Sequence, residues 1–68
     1  MKIWLNGTLT EVDTGLSVVD AIGLAGHPGG ASGVAVALNG EVVTKSTWAA
    51  TQLSDGDKVE VLVAAQGG

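Results

Sequence analysis

The amino-acid sequence predicts an α+β domain: a β-sheet with a single helix packed on one of its faces. Three observations carry this reading. Apolar residues recur at every second position in Lys2–Val12, Val34–Val43 and Lys58–Val63, and the first two of these runs are broken by an Asn-Gly pair. Only Ser17–Ala25 spaces its apolar residues for a helix. With 68 residues there is room for one small domain and no second.

In the first run, Ile3 and Leu5 alternate with Lys2, Trp4 and Asn6, the mark of a half-buried strand. Asn6-Gly7 supplies the positive φ angles of a tight hairpin turn. Thr8–Val12 returns as its partner, with Thr10 and Val12 facing inward, and Asp13-Thr14-Gly15 is a further turn. Ser17-Val18-Val19-Asp20 reads as a capping box in which Asp20 replaces the usual Glu or Gln. Val18, Ala21, Ile22 and Ala25 then fall at i, i+3, i+4 and i+7, one face of a short helix. Gly23 weakens that helix, and Gly26-His27-Pro28 ends it.

The run Gly26–Gly33 is a connection, since it lacks the Gly-Lys-Ser/Thr ending and the feeding strand of a phosphate loop. Val34, Val36 and Leu38 alternate with Ala35, Ala37 and Asn39 as a third strand. Asn39-Gly40 turns the chain into a short fourth strand, Glu41–Val43. Lys45–Gln52 is polar around Trp48 and reads as an irregular or single-turn crossover, with Trp48 plugging one edge of the core. Asp55-Gly56-Asp57 is a turn rather than a calcium loop, whose remaining ligands are missing. It leads into the last strand, where Val61 and Val63 share the inward phase.

Composition narrows the function. Hydrophobic residues make up 46% and charged residues 15%, the balance of a folded domain. A chain this short buries only about 60% of its unfolded surface, which leaves no room for a deep substrate pocket beside a core. A module that works through partners fits better than an enzyme. A net charge of −4, with three lysines and no arginine, argues against nucleic acid and suits a basic protein face. No cysteine is present to form a disulfide or serve as a thiol nucleophile. His27 is the only histidine and reads as a solvated surface residue. The carboxylates are scattered singly, and no Gly-x-Ser-x-Gly elbow occurs. No signal-peptide or membrane-spanning pattern appears, so the expected location is the cytoplasm, away from membranes.

Two features remain as candidate sites. The first is the stretch 64–68, expected as a flexible tail on a domain that spans 1–63. After Val63 the chain loses every bulky or charged side chain and closes on Gln66-Gly67-Gly68. Fully extended, five such residues reach about 16 Å, enough to carry one carboxylate into another protein's active site. A frayed terminus is the competing reading. The second feature is Trp4, which alternates out of phase with Ile3 and Leu5 and so faces away from the helix. With Ala35, Ala37 and Leu62 it would form a docking patch, unless Trp4 merely covers exposed sheet.

The ensemble of Val34-Ala35-Val36-Ala37-Leu38-Asn39-Gly40-Glu41-Val42-Val43, Trp48, Leu53-Ser54-Asp55-Gly56-Asp57-Lys58-Val59-Glu60 and the Gln-Gly-Gly end resembles the ThiS family. These are the sulfur carriers of the thiazole branch of thiamine biosynthesis. The resemblance covers nearly the whole chain and implies a β-grasp, ubiquitin-like fold, a mixed sheet with its first and last strands side by side. It implies that the Gly68 carboxylate is adenylated and then converted to a thiocarboxylate, with Gly67, Gln66 and Ala65 as the slender lead-in. Trp4, Leu62 and Ala37 would dock partners. Those partners are an ATP-dependent adenylyltransferase, a sulfur donor system and thiazole synthase. No cofactor would be bound by the chain itself, since ATP and metal belong to the activating enzyme. Thr44-Lys45 stands where a Pro-Arg pair is common, and Gly26–Gly33 is unusually glycine-rich. A carrier of the same fold for molybdopterin or cysteine synthesis is one alternative. A noncatalytic ubiquitin-like interaction module is another.

Overall fold

Both Asn-Gly pairs turn the chain through left-handed backbone. Asn6 and Asn39 each have φ of 50°, followed by Gly7 at 82° and Gly40 at 86°. Two successive positive φ angles make the turn whose twist matches the strands on either side, so each pair closes a hairpin. The computed structural model describes residues 1–26 and 33–63. It places β1 at Lys2–Leu5, β2 at Thr8–Glu11, α1 at Val18–Leu24, β3 at Val34–Leu38 and β4 at Glu41–Val43. A single 3₁₀ turn, Lys45–Thr47, precedes β5 at Lys58–Val63.

The five strands form one sheet in the order β2-β1-β5-β3-β4. β1 and β5 pair in parallel, Trp4 opposite Lys58 and Leu5 opposite Val59, while the other pairings are antiparallel. The last strand is thus inserted between the two hairpins, and the sheet is mixed. This is the arrangement that the resemblance implied and that periodicity alone could not specify.

The helix packs on one face of the sheet. Val18, Ala21 and Ile22 meet Ile3, Leu5, Val36, Val59 and Val61, with Trp48 and Leu53 closing the edge of the core. The helix begins at the expected capping box. Ser17 N–H and its hydroxyl both donate to Asp20 Oδ2, at 3.1 and 2.9 Å, and Asp20 N–H donates back to Ser17 Oγ at 3.4 Å. It stops one residue short of the predicted face. Ala25 is the C-cap and half-buried, and Gly26 follows at φ 91°, the left-handed residue that commonly closes a helix. Trp48 is 3% exposed, and its ring N–H donates to the Val43 carbonyl at 2.9 Å. A buried indole needs such an acceptor, and the carbonyl at the end of β4 provides it.

Two inward assignments differ in degree. β2 ends at Glu11, one residue before the expected Val12, and Val12 packs against the core from beyond the strand. Val63 keeps the inward phase yet is 53% exposed, while Val59 and Val61 on the same face are buried. Gly23 sits in the last turn of the helix, where an added Cβ would meet nothing within 4 Å. Gly23→Ala is therefore expected to stabilise the domain by about 0.5–1 kcal/mol. Thermal unfolding should show this as a rise of about 2–8 °C in Tm.

Candidate functional site

The face of the sheet turned away from the helix is the first part of the site. Period two places Trp4 on it, because Ile3 and Leu5 on either side are buried in the core. Trp4 is 41% exposed and Leu62 is 60% exposed. Strand register gathers the rest. Leu9 lies opposite Trp4, Ala37 lies opposite both Glu60 and Val42, and Ala35 lies opposite Leu62. The face therefore carries exposed Leu9 and Val42 along with the expected Trp4, Leu62 and half-buried Ala37. A shallow groove of about 600 Å³ runs along β5, lined by Trp4, Asn6, Lys58, Glu60 and Leu62 among others.

The second part is β5 itself, the strand that leads to residues 64–68. Both hairpin turns grip it. Asn39 N–H donates to the Lys58 carbonyl at 2.8 Å, and Asn39 Oδ1 accepts from Lys58 N–H at 2.9 Å. On the other side, Trp4 N–H donates to the Asp57 carbonyl and Asn6 N–H to the Val59 carbonyl, at 2.8 and 2.9 Å. Asn6 Oδ1 accepts from Val61 N–H at 2.8 Å.

The carboxylates of the Asp55-Gly56-Asp57 turn are occupied by the chain. Asp55 Oδ1 accepts from Lys2 N–H at 2.8 Å. Asp57 accepts from Ser54 N–H at 2.7 Å through one oxygen and from the Asn39 amide at 3.0 Å through the other. These bonds fix the entry of β5 and make the pair part of the turn, as its sequence suggests. Among the described residues, no group of three or more His, Asp or Glu side chains is placed to hold a metal. No described helix is long and apolar enough to cross a membrane. His27 and the tail residues Ala65, Gln66, Gly67 and Gly68 lie outside the described residues.

The ThiS family model matches residues 3–68 of the chain. The chain belongs to the ThiS family. A crystal structure of the thiamine biosynthesis protein ThiS from Geobacter metallireducens is 36% identical and superposes with a TM-score of 0.79, with 100% of both chains covered. An NMR solution structure of a thiamine biosynthesis protein from the same organism is 35% identical with a TM-score of 0.76. That alignment covers 100% of this chain and 88% of that one. No curated protein matches the chain. The five-stranded mixed sheet with one helix is the β-grasp arrangement of these ThiS structures. ThiS membership supports the role of a small sulfur carrier in thiamine biosynthesis, working with sulfur-activating and thiazole-forming enzymes as a class.

Sequence reading missed Leu9, Val42 and the two asparagine side chains. Leu9 stands between two threonines with the outward phase, so alternation could have placed it. The asparagines read only as turn formers, and nothing local to them indicates that their amides reach another strand.

The two tryptophans sit in opposite environments, and fluorescence should separate them. In Trp48→Phe the remaining Trp4 is expected to emit at longer wavelength and to be quenched readily by iodide. In Trp4→Phe the remaining Trp48 should emit at shorter wavelength and resist quenching. The reverse pattern would contradict the assigned faces.

Proposed function

We propose that the α-carboxylate of Gly68 is the working group of this protein, first as an acyl-adenylate and then as a thiocarboxylate that donates sulfur for thiazole formation. The observation that carries the reading is the ThiS match, which runs through Gly68 itself. A carboxylate is a poor acyl donor. Attack of a carboxylate oxygen on the α-phosphorus of ATP releases pyrophosphate and leaves AMP as a good leaving group on the acyl carbon. A sulfur nucleophile from the donor system can then displace AMP. The activating enzyme, an ATP-dependent adenylyltransferase, holds ATP, metal and the tail in line. Gly67, Gln66 and Ala65 form the slim lead-in, and thiazole synthase receives the sulfur. The carrier supplies reach and a docking surface. This division of labour suits a chain without a cysteine.

Trp4, Leu62 and Ala37 are the proposed docking residues, with Leu9 and Val42 extending the apolar face to both edges of the sheet. Trp4→Ala is expected to weaken binding to the activating enzyme or thiazole synthase about thirtyfold, the effect of losing a hot-spot tryptophan. Stability should change by no more than about 1 kcal/mol, since the side chain is outside the core. Unchanged binding in a titration would remove this face from the docking role.

The chemistry is tested at the terminus. One added residue after Gly68 converts its carboxylate to an amide, which cannot be adenylated. Deletion of Gly68 sets the carboxylate back by about 3.5 Å, and even a 1 Å misplacement costs about a hundredfold. Both variants should fold normally and acquire no sulfur after incubation with activating enzyme, ATP and a sulfur source. Intact-mass spectrometry reads the exchange of one oxygen for sulfur, and fragmentation locates it. Sulfur on the extended variant at the wild-type rate, or at another residue, would overturn the assignment.

A further inference from the structure

β5 is flanked unequally near its end. On one side β3 accompanies it to Val63, which lies opposite Val34. On the other side the register of β1 stops at Leu5 opposite Val59. In a parallel ladder, one residue donates through its N–H and accepts through its C=O to neighbours two apart on the adjacent strand. Asn6 satisfies the first half of that pattern, with its N–H on the Val59 carbonyl at 2.9 Å. The hairpin begins at this residue, whose φ of 50° is not that of a strand. The side-chain oxygen takes the place of the backbone carbonyl, accepting from Val61 N–H at 2.8 Å. The ladder is thereby extended by one rung past the end of the strand that carries it.

We propose that Asn6 is a positioning residue for the C-terminal tail: its amide oxygen holds β5 from the β1 side as far as Val61 and so sets the line along which the chain leaves the sheet. This rests on the sulfur-carrier reading above. A tail whose supporting strand is held from both sides as far as Val61 gives up less freedom when it enters a partner's active site. Without this rung, β5 beyond Val59 is held from one side only. Asparagine suits the position twice over, since it tolerates positive φ and carries an acceptor. Glycine keeps the turn and loses the acceptor, whereas aspartate keeps both.

The experiment compares the wild-type chain, Asn6→Gly and Asn6→Asp. Amide exchange of Val61 is measured by NMR against Trp4, whose N–H is bonded to Asp57 in the same ladder. In parallel, each chain serves as substrate for the activating enzyme. In Asn6→Gly, Val61 should exchange about tenfold faster relative to Trp4, the scale of one lost hydrogen bond. KM for the carrier should rise about five- to tenfold while kcat stays within about twofold, because the cost falls on ordering the tail. Asn6→Asp should restore both. Unchanged Val61 exchange in Asn6→Gly would show that the rung does not hold in solution. Faster exchange with unchanged KM would leave the bond purely structural, and failure of Asn6→Asp to rescue would mean that the acceptor is not what matters. Each of these overturns the proposal. If the wild-type chain acquires no sulfur at Gly68, the carrier reading fails and the positioning role with it, while the exchange measurement still decides whether the rung exists.

Discussion

Everything in this fold depends on β5 sitting between the two hairpins. Without it there are two separate antiparallel ribbons, β2-β1 and β3-β4, each too small to be stable alone. With it, Val59 and Val61 complete the floor on which α1 packs, and a single core closes over Ile3, Ile22 and Val36. The strand is held by backbone pairing along both edges and by an asparagine side chain near each end. Asn39 Oδ1 meets Lys58 on the β3 side, and Asn6 Oδ1 meets Val61 on the β1 side. In each case the residue that turns the hairpin also grips the central strand. The Asn-Gly pairs therefore act at two levels, as local turns and as long-range clasps.

The same placement gives the sheet two different faces. One is consumed by the helix, and the other is left with Trp4, Leu9, Leu62 and Val42 in contact with solvent. Among the described residues, no second α-helix covers that face. The proposed docking residues Trp4, Leu62 and Ala37 all lie on this face. The face and the end of β5 meet at the groove beside Trp4 and Leu62. A partner seated there would stand next to the root of the tail.

Local signals accounted for much of this in advance. Alternation assigned Trp4 and Leu62 to the outer face, since each lies next to a buried neighbour one step away. The capping box, the i, i+3, i+4 spacing of Val18, Ala21 and Ile22, and the plug role of Trp48 were likewise readable from a few adjacent residues. Pairing was not. That β1 and β5 lie side by side is a relation between residues more than fifty positions apart, and no periodicity in either strand encodes it. Family resemblance supplied it because resemblance carries the whole topology at once. The exposure of Val63 escaped prediction for a related reason: phase is a property of the strand, whereas cover depends on what the rest of the fold packs over it.

The bond between Asn6 and Val61 joins residues 55 positions apart, and it bears on how the molecule assembles. Both hairpins and the helix are closed by near neighbours and can begin to form as soon as their own residues are made. β5 meets β3 across a much shorter stretch of chain, but its pairing with β1 spans 54 positions, from Trp4 to Lys58, and carries the largest loop-closure entropy in the sheet. Core and outer sheet face are each incomplete without that pairing. A chain whose last strand is outside the sheet lacks Val59 and Val61 in the core and Leu62 on the outer face. Until the β1–β5 pairing forms, the chain presents neither a closed core nor a continuous outer face.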